Sequence, residues 1–86
     1  MERSEFESLL SMAKFFQEAS AVKQNYDRSV FWLGFQRGIS RLFHGEKSGT
    51  VEEHEKWMTA ADGEYPKELY DGYRTGFTYH DQKLEI

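Results

Sequence analysis

At 86 residues the chain has room for one core and one domain, 1–86, and not for a core plus a separate catalytic lobe. A formal net charge of −4 argues against generic attachment to nucleic acid or anionic membrane, because both need a surplus of Lys and Arg. Cysteine is absent, which excludes disulfides and thiolate metal sites, while aromatics reach 16%, so each buried position must carry more area than usual. The start, Met1-Glu2-Arg3-Ser4-Glu5, lacks the basic and apolar regions of a secretory signal, and a soluble cytoplasmic protein is the expectation.

Ser4-Glu5-Phe6-Glu7 has the form of a capping box, which predicts a first helix from Glu5 to about Lys23. Phe6, Leu9, Leu10, Ala13, Phe16 and then Ala19 or Val22 recur at steps of three and four, forming its apolar stripe. Phe15 falls beside that stripe and either widens it or belongs to an exposed contact surface. Gln24-Asn25-Tyr26-Asp27 is a polar boundary with capping residues, after which a second helix is expected over 27–43. Its apolar positions are Val30, Phe31, Gly34, Ile39, Leu42 and Phe43, broadened by Trp32 and Phe35. An arc that wide suits the central helix of a small bundle, or leaves a homodimer face.

Gly45 is placed to end that helix with positive φ, and Thr50-Val51-Glu52-Glu53 is a second capping box opening a short helix over 51–61. Its stripe is Val51, His54, Trp57, Met58 and Ala61, with Asp62-Gly63 as the stop. The chain's one proline, Pro66, fits the first turn of a last helix over 66–80, whose apolar side is Leu69, Tyr70, Tyr73, Gly76 and Phe77. No stretch alternates with period two, so the expectation is an all-α bundle of four helices.

The most informative pattern is a repeat. Gly34 and Gly38 lie four apart in the second helix, and Gly72 and Gly76 recur 38 positions later, each pair enclosing an aromatic residue. A helical glycine costs about 1 kcal/mol relative to alanine, so two matched pairs predict a compensating close approach of the second and fourth helices.

No constellation points to catalysis, and the sequence implies no enzyme, cofactor or metal. His44, His54 and His80 do not form a spaced ligand pair, and His54-Glu55 lacks the second histidine of a zinc-protease helix. Charge is more telling. Residues 28–45 hold Arg28, Arg37 and Arg41 and no acid, whereas 52–64 hold five acids and Lys56. Glu52, Glu53 and Glu55 would steer toward a basic protein partner, with Phe15, Tyr26, Trp32 and Tyr79 as exposed anchors. The alternative is RNA association through Arg28, Arg37 and Arg41.

The pentapeptides Gly34-Phe35-Gln36-Arg37-Gly38 and Gly72-Tyr73-Arg74-Thr75-Gly76 resemble a motif of ribosome modulation factor and other small helical bacterial proteins. Gly38 through His44-Gly45-Glu46, Gly49-Thr50 and Glu53-His54 to Trp57 resembles short proteins of bacterial and phage-like origin. In size and acidity the chain is similar as a class to phage-encoded inhibitors such as anti-CRISPR proteins. That likeness implies a non-enzymatic inhibitor of a nucleic-acid-handling host complex, acting by protein–protein interaction, with no membrane role.

Overall fold

The computed structural model describes residues 1–60 and 63–79 and places four α-helices in them, with no strand among those residues. They are α1 (Arg3–Val22), α2 (Tyr26–His44), α3 (Val51–Thr59) and α4 (Lys67–Phe77), with a 3-10 turn at Gly45–Ser48. Helix α2 lies between α1 and α4 and packs on both, while α3 covers one side of α4. The expected all-α bundle with a central second helix is therefore the observed one.

Local chemistry explains most boundaries. At the end of α1 the Asn25 N–H donates to Ser20 O at 2.8 Å, with Gln24 at positive φ between them, which closes the helix. Asn25 then opens α2, its side-chain oxygen accepting from the Arg28 N–H at 3.3 Å. Thr50 Oγ1 accepts from the Glu53 N–H at 3.1 Å and starts α3 as its capping box implies. Pro66, with φ −58° and ψ 146°, stands as the residue just before α4 rather than as its first helical one.

Three expectations are corrected. The Ser4–Glu7 box is not used: α1 begins two residues earlier, at Arg3, with Glu2 as an N-cap lacking a side-chain bond. Met1 packs against the core there, and Arg3 pairs with Glu7 at 3.8 Å, so the longer first turn makes contacts that the shorter one would forgo. The apolar stripe of α1 also leaves the core. Phe6, Leu9 and Ala13 are buried, but Phe16 is 40% and Val22 83% exposed. Three successive steps of three from Ala13 each fall short of a full turn by roughly 60°, so Val22 points about opposite to Ala13. Finally, α3 ends at Ala60, in the left-handed region at φ 53°, instead of at Asp62-Gly63, and Val51 is exposed at its outer start. Ala61, Asp62 and His80 lie outside the described residues.

Two buried groups flank α2. Phe6, Leu9, Ala13, Phe35 and Ile39 form the cluster under α1, with Phe6 stacked on Phe43 at 4.4 Å between centroids. Leu69, Tyr70 and Tyr73 are buried on the α4 side. Between them runs the glycine contact. A Cβ built at Gly34 would fall onto Leu69 O, at Gly38 onto Tyr73 O, at Gly72 onto Phe31 O and at Gly76 onto Phe35 O. Backbone meets backbone here, and the axes approach more closely than the ~8–10 Å that side chains ordinarily enforce. The pairings ascend together along both helices, so α2 and α4 run in the same direction across the contact. They also exchange under a shift of 38 positions: Gly34 on Leu69 becomes Gly72 on Phe31, and Gly38 on Tyr73 becomes Gly76 on Phe35. The segments 31–39 and 69–77 are thus related by a local two-fold axis.

Because the obstacle at each glycine is a carbonyl and not a movable side chain, even a methyl group has no room. At an open helical site glycine-to-alanine would gain about 1 kcal/mol. Here Gly34→Ala and Gly72→Ala should each instead lose ~1–3 kcal/mol by overpacking. Thermal unfolding of the two variants checks the sign, and raised midpoints in both would rule the contact out.

Candidate functional site

Two surfaces carry exposed chemistry, one on each flank of α1. The first faces outward. Phe15 is 66% exposed and Val22 83%, and Met12 and Phe16 join them on the same side of the helix. The drift that takes the stripe off the core is what creates this face. Phe15 meets Phe16 edge-on at 5.7 Å, Phe16 stacks on Trp32 at 5.1 Å, and Trp32 meets Phe31 edge-on at 5.3 Å. This ring series leads from the outer face of α1 into a shallow groove of about 320 Å³ lined by Asp27, Arg28, Phe31, Trp32 and Glu68.

Of the four expected aromatic anchors, Phe15 and Tyr26 are exposed. Trp32 and Tyr79 are half-buried and pack against the core, with Tyr79 edge-on to Phe35 at 6.3 Å, so they support the surface more than they form it. Helical spacing explains Trp32: it neighbours Phe31 and Phe35, and its ring packs edge-on against both. Sequence reasoning passed over Met12 and the exposure of Val22, which a helical wheel of residues 12–22 would have indicated.

The second surface is a cleft of about 680 Å³ between α1 and α2 on one side and the 3-10 turn, α3 and Tyr65 on the other. Lys14, Arg37 and Ser40 project from the first wall, and Glu53, His54 and Trp57 from the second. Arg37 lies over the Trp57 ring at 5.5 Å, and Trp57 stacks on Tyr65 and Tyr73. His54 Nδ1 lies 2.7 Å from the Tyr73 hydroxyl.

Burial lowers the His54 pKa, and the Arg41 charge lowers it further against a smaller opposing effect of Glu55. Burial raises the Tyr73 phenol above its ordinary value, with Arg41 opposing. Both rings are therefore neutral at pH 7, and one proton is shared across this contact, from the Tyr73 hydroxyl or from Nδ1–H according to the imidazole tautomer. This pair was not legible as such, because the two residues meet only through the way α3 lies on α4. Two residues before Tyr73 on α4, burial raises the Asp71 carboxyl, but hydrogen bonds from Arg74 and Lys67 outweigh it and hold the pKa below the usual value. Arg74 Nη1 also donates to Met58 O at 3.4 Å, tying α4 to α3.

The charged residues expected to act together are partly separated. Glu52, Glu53 and Glu55 are all exposed on α3, but Glu53 turns into the cleft while the other two face away from it. Nine residues place Arg28 about half a turn of rotation from Arg37, so Arg28 lies beside Trp32 while Arg37 lines the cleft. Arg41 is half-buried, and its Nε is enclosed without a partner. No ion pair joins the arginines of α2 to the glutamates of α3 among the described residues. His44 is exposed at the end of α2, edge-on to Phe6 at 5.2 Å, and no metal-holding cluster occurs among the described residues.

None of the described helices is long and apolar enough to cross a membrane. No protein-family model matches the chain, and comparisons with curated proteins and with solved structures find no match either. The site must therefore be read from its own chemistry.

The lowered pKa of His54 gives a signed pH dependence. The unfolded chain binds the proton more readily, near pH 6.5, so stability is full above that value and falls as pH drops toward the lower folded pKa. Thermal midpoints of wild type and His54→Gln, compared at pH 7.5 and at about pH 5.5, should show a smaller acid-side loss in the variant.

Proposed function

We propose that this chain is a non-enzymatic protein-binding module, an inhibitor or adaptor that docks on a basic protein of the nucleic-acid machinery. The observation that carries this reading is the outward face of α1, where Met12, Phe15, Phe16 and Val22 are all exposed. Large apolar side chains grouped on one face of a small domain mark contact surfaces more often than chance exposure does. Phe15 and Tyr26 are the anchors, since aromatic residues dominate interface energetics. The groove beside Trp32 is suited to one large side chain of the partner.

Charge supplies the sign of the partner. The chain carries 15 acidic against 11 basic residues, and Glu52 and Glu55 are exposed on α3. Such a surface speeds encounter with a basic protein and disfavours phosphate backbones. RNA association through Arg28, Arg37 and Arg41 has less behind it, because those side chains occupy two sides of α2 and one of them is half-buried.

Phe15→Ser combined with Val22→Ser removes the apolar face without touching the core. The thermal midpoint should stay nearly unchanged, as for surface substitutions worth about 0.5 kcal/mol or less. Affinity for a protein captured by wild type should fall by about thirtyfold or more, the scale of a lost hot spot. Reversal of Glu52 and Glu55 to Lys should slow association and weaken its salt dependence. Equal binding by the Ser variant, or a salt-sensitive RNA gel shift by wild type, would displace this reading.

A further inference from the structure

We propose that the cleft between α2 and α3 is a binding site for a small phosphomonoester carrying a flat ring, of the size of a nucleoside monophosphate. The proposal goes beyond the docking surface, because the cleft lies on the other flank of α1 and uses different side chains.

Four observations point to that chemistry. The volume, about 680 Å³, falls in the range of small-molecule sites. Lys14 and Arg37 project into it, and neither has an ion-pair partner among the described residues. In a chain of net charge −4, where acids outnumber bases, two cations gathered in one concavity with no ion pair among the described residues and only Glu53 as a carboxylate in the lining are the feature to be explained. At the end of the cleft Arg41 lies behind Gly49, its Cδ 4.0 Å from where a Cβ of that residue would stand, with a Glu53 carboxylate oxygen at 3.8 Å from the same point, so its charge there is offset by that carboxylate.

The rest of the lining fits the remainder of such a ligand. Leu10 and Leu33 on one wall and Trp57 and Tyr65 on the other make an apolar slot suited to a ring. The Ser40 hydroxyl, with no hydrogen-bond partner among the described residues, stands one turn from Arg37 as a donor to phosphate oxygen. Glu53, the one carboxylate of the lining, is an acceptor for a sugar hydroxyl. Phosphate between Lys14 and Arg37, with the ring in the slot, gives a partner to Lys14, Arg37, Ser40 and Glu53 together.

The chain's two tryptophans allow a direct readout, because Trp57 lines the cleft and Trp32 does not. In amide-and-indole NMR spectra, adenosine monophosphate should move the Trp57 indole signal and leave that of Trp32 in place. Inorganic phosphate and adenosine alone should bind more weakly than the monophosphate. Lys14→Glu, at an exposed position, should keep the wild-type thermal midpoint, and Arg37→Glu should lower it only by the loss of the Arg37–Trp57 contact, while each weakens binding about tenfold or more, as expected for a lost charge-assisted contact. A Trp57 signal unmoved at millimolar adenosine monophosphate would overturn the proposal. So would undiminished binding by both charge variants, or inorganic phosphate binding as tightly as the nucleotide.

Discussion

Everything in this fold depends on two helices meeting through their main chains. At Gly34, Gly38, Gly72 and Gly76 the direction that a Cβ would take leads to a carbonyl oxygen of the opposite helix, so a Cα–H bond of each glycine is aimed at that oxygen. Such contacts contribute about 0.5–1 kcal/mol each, comparable to the ~1 kcal/mol that a helical glycine costs. The glycines are thus offset locally, and the gain lies in what the close approach arranges. Phe35 and Tyr73, one residue beyond Gly34 and Gly72, turn to opposite sides and become the buried centres of the two halves. Tyr73 in turn fixes His54 and the floor of the cleft.

The sequence made some of this legible and left other parts hidden, for reasons that can be named. A glycine pair in a helix is a binary signal, present or absent, and its repetition 38 positions later could mean close packing without any knowledge of the rest. Asn25 and Thr50 were readable as caps because their side chains act on backbone three residues away. The course of α1 was not, since a run of three-residue steps looks continuous in one dimension while it winds round the helix. Nor was the end of α3, where Ala60 adopts a left-handed conformation for which alanine carries no mark. The His54–Tyr73 bond and the cleft depend on the angle between helices, which no local pattern encodes.

The two flanks of α1 show how one helix serves several ends. Its inner face supplies Phe6, Leu9 and Ala13 to the core, its outer face carries Phe15 and Val22, and its third side gives Leu10 and Lys14 to the cleft. A chain of this size cannot devote separate elements to folding and recognition. The rest of the helix, Arg3, Ser4, Glu7, Ser8, Ser11 and Glu18 among it, is solvated.

The exchange of partners between 31–39 and 69–77 also bears on how such a chain can arise. Each glycine-bearing helix is preceded by another that packs antiparallel to it, α1 before α2 and α3 before α4, so the molecule is two helical hairpins facing each other. Closed two-fold contacts are the commonest way in which identical subunits associate. A single hairpin bearing one glycine pair already contains both halves of the lock, and two copies of it could close the same seam. Fusion of such copies would then free each half to diverge, the first toward a longer and more apolar helix, the second toward a short acidic one.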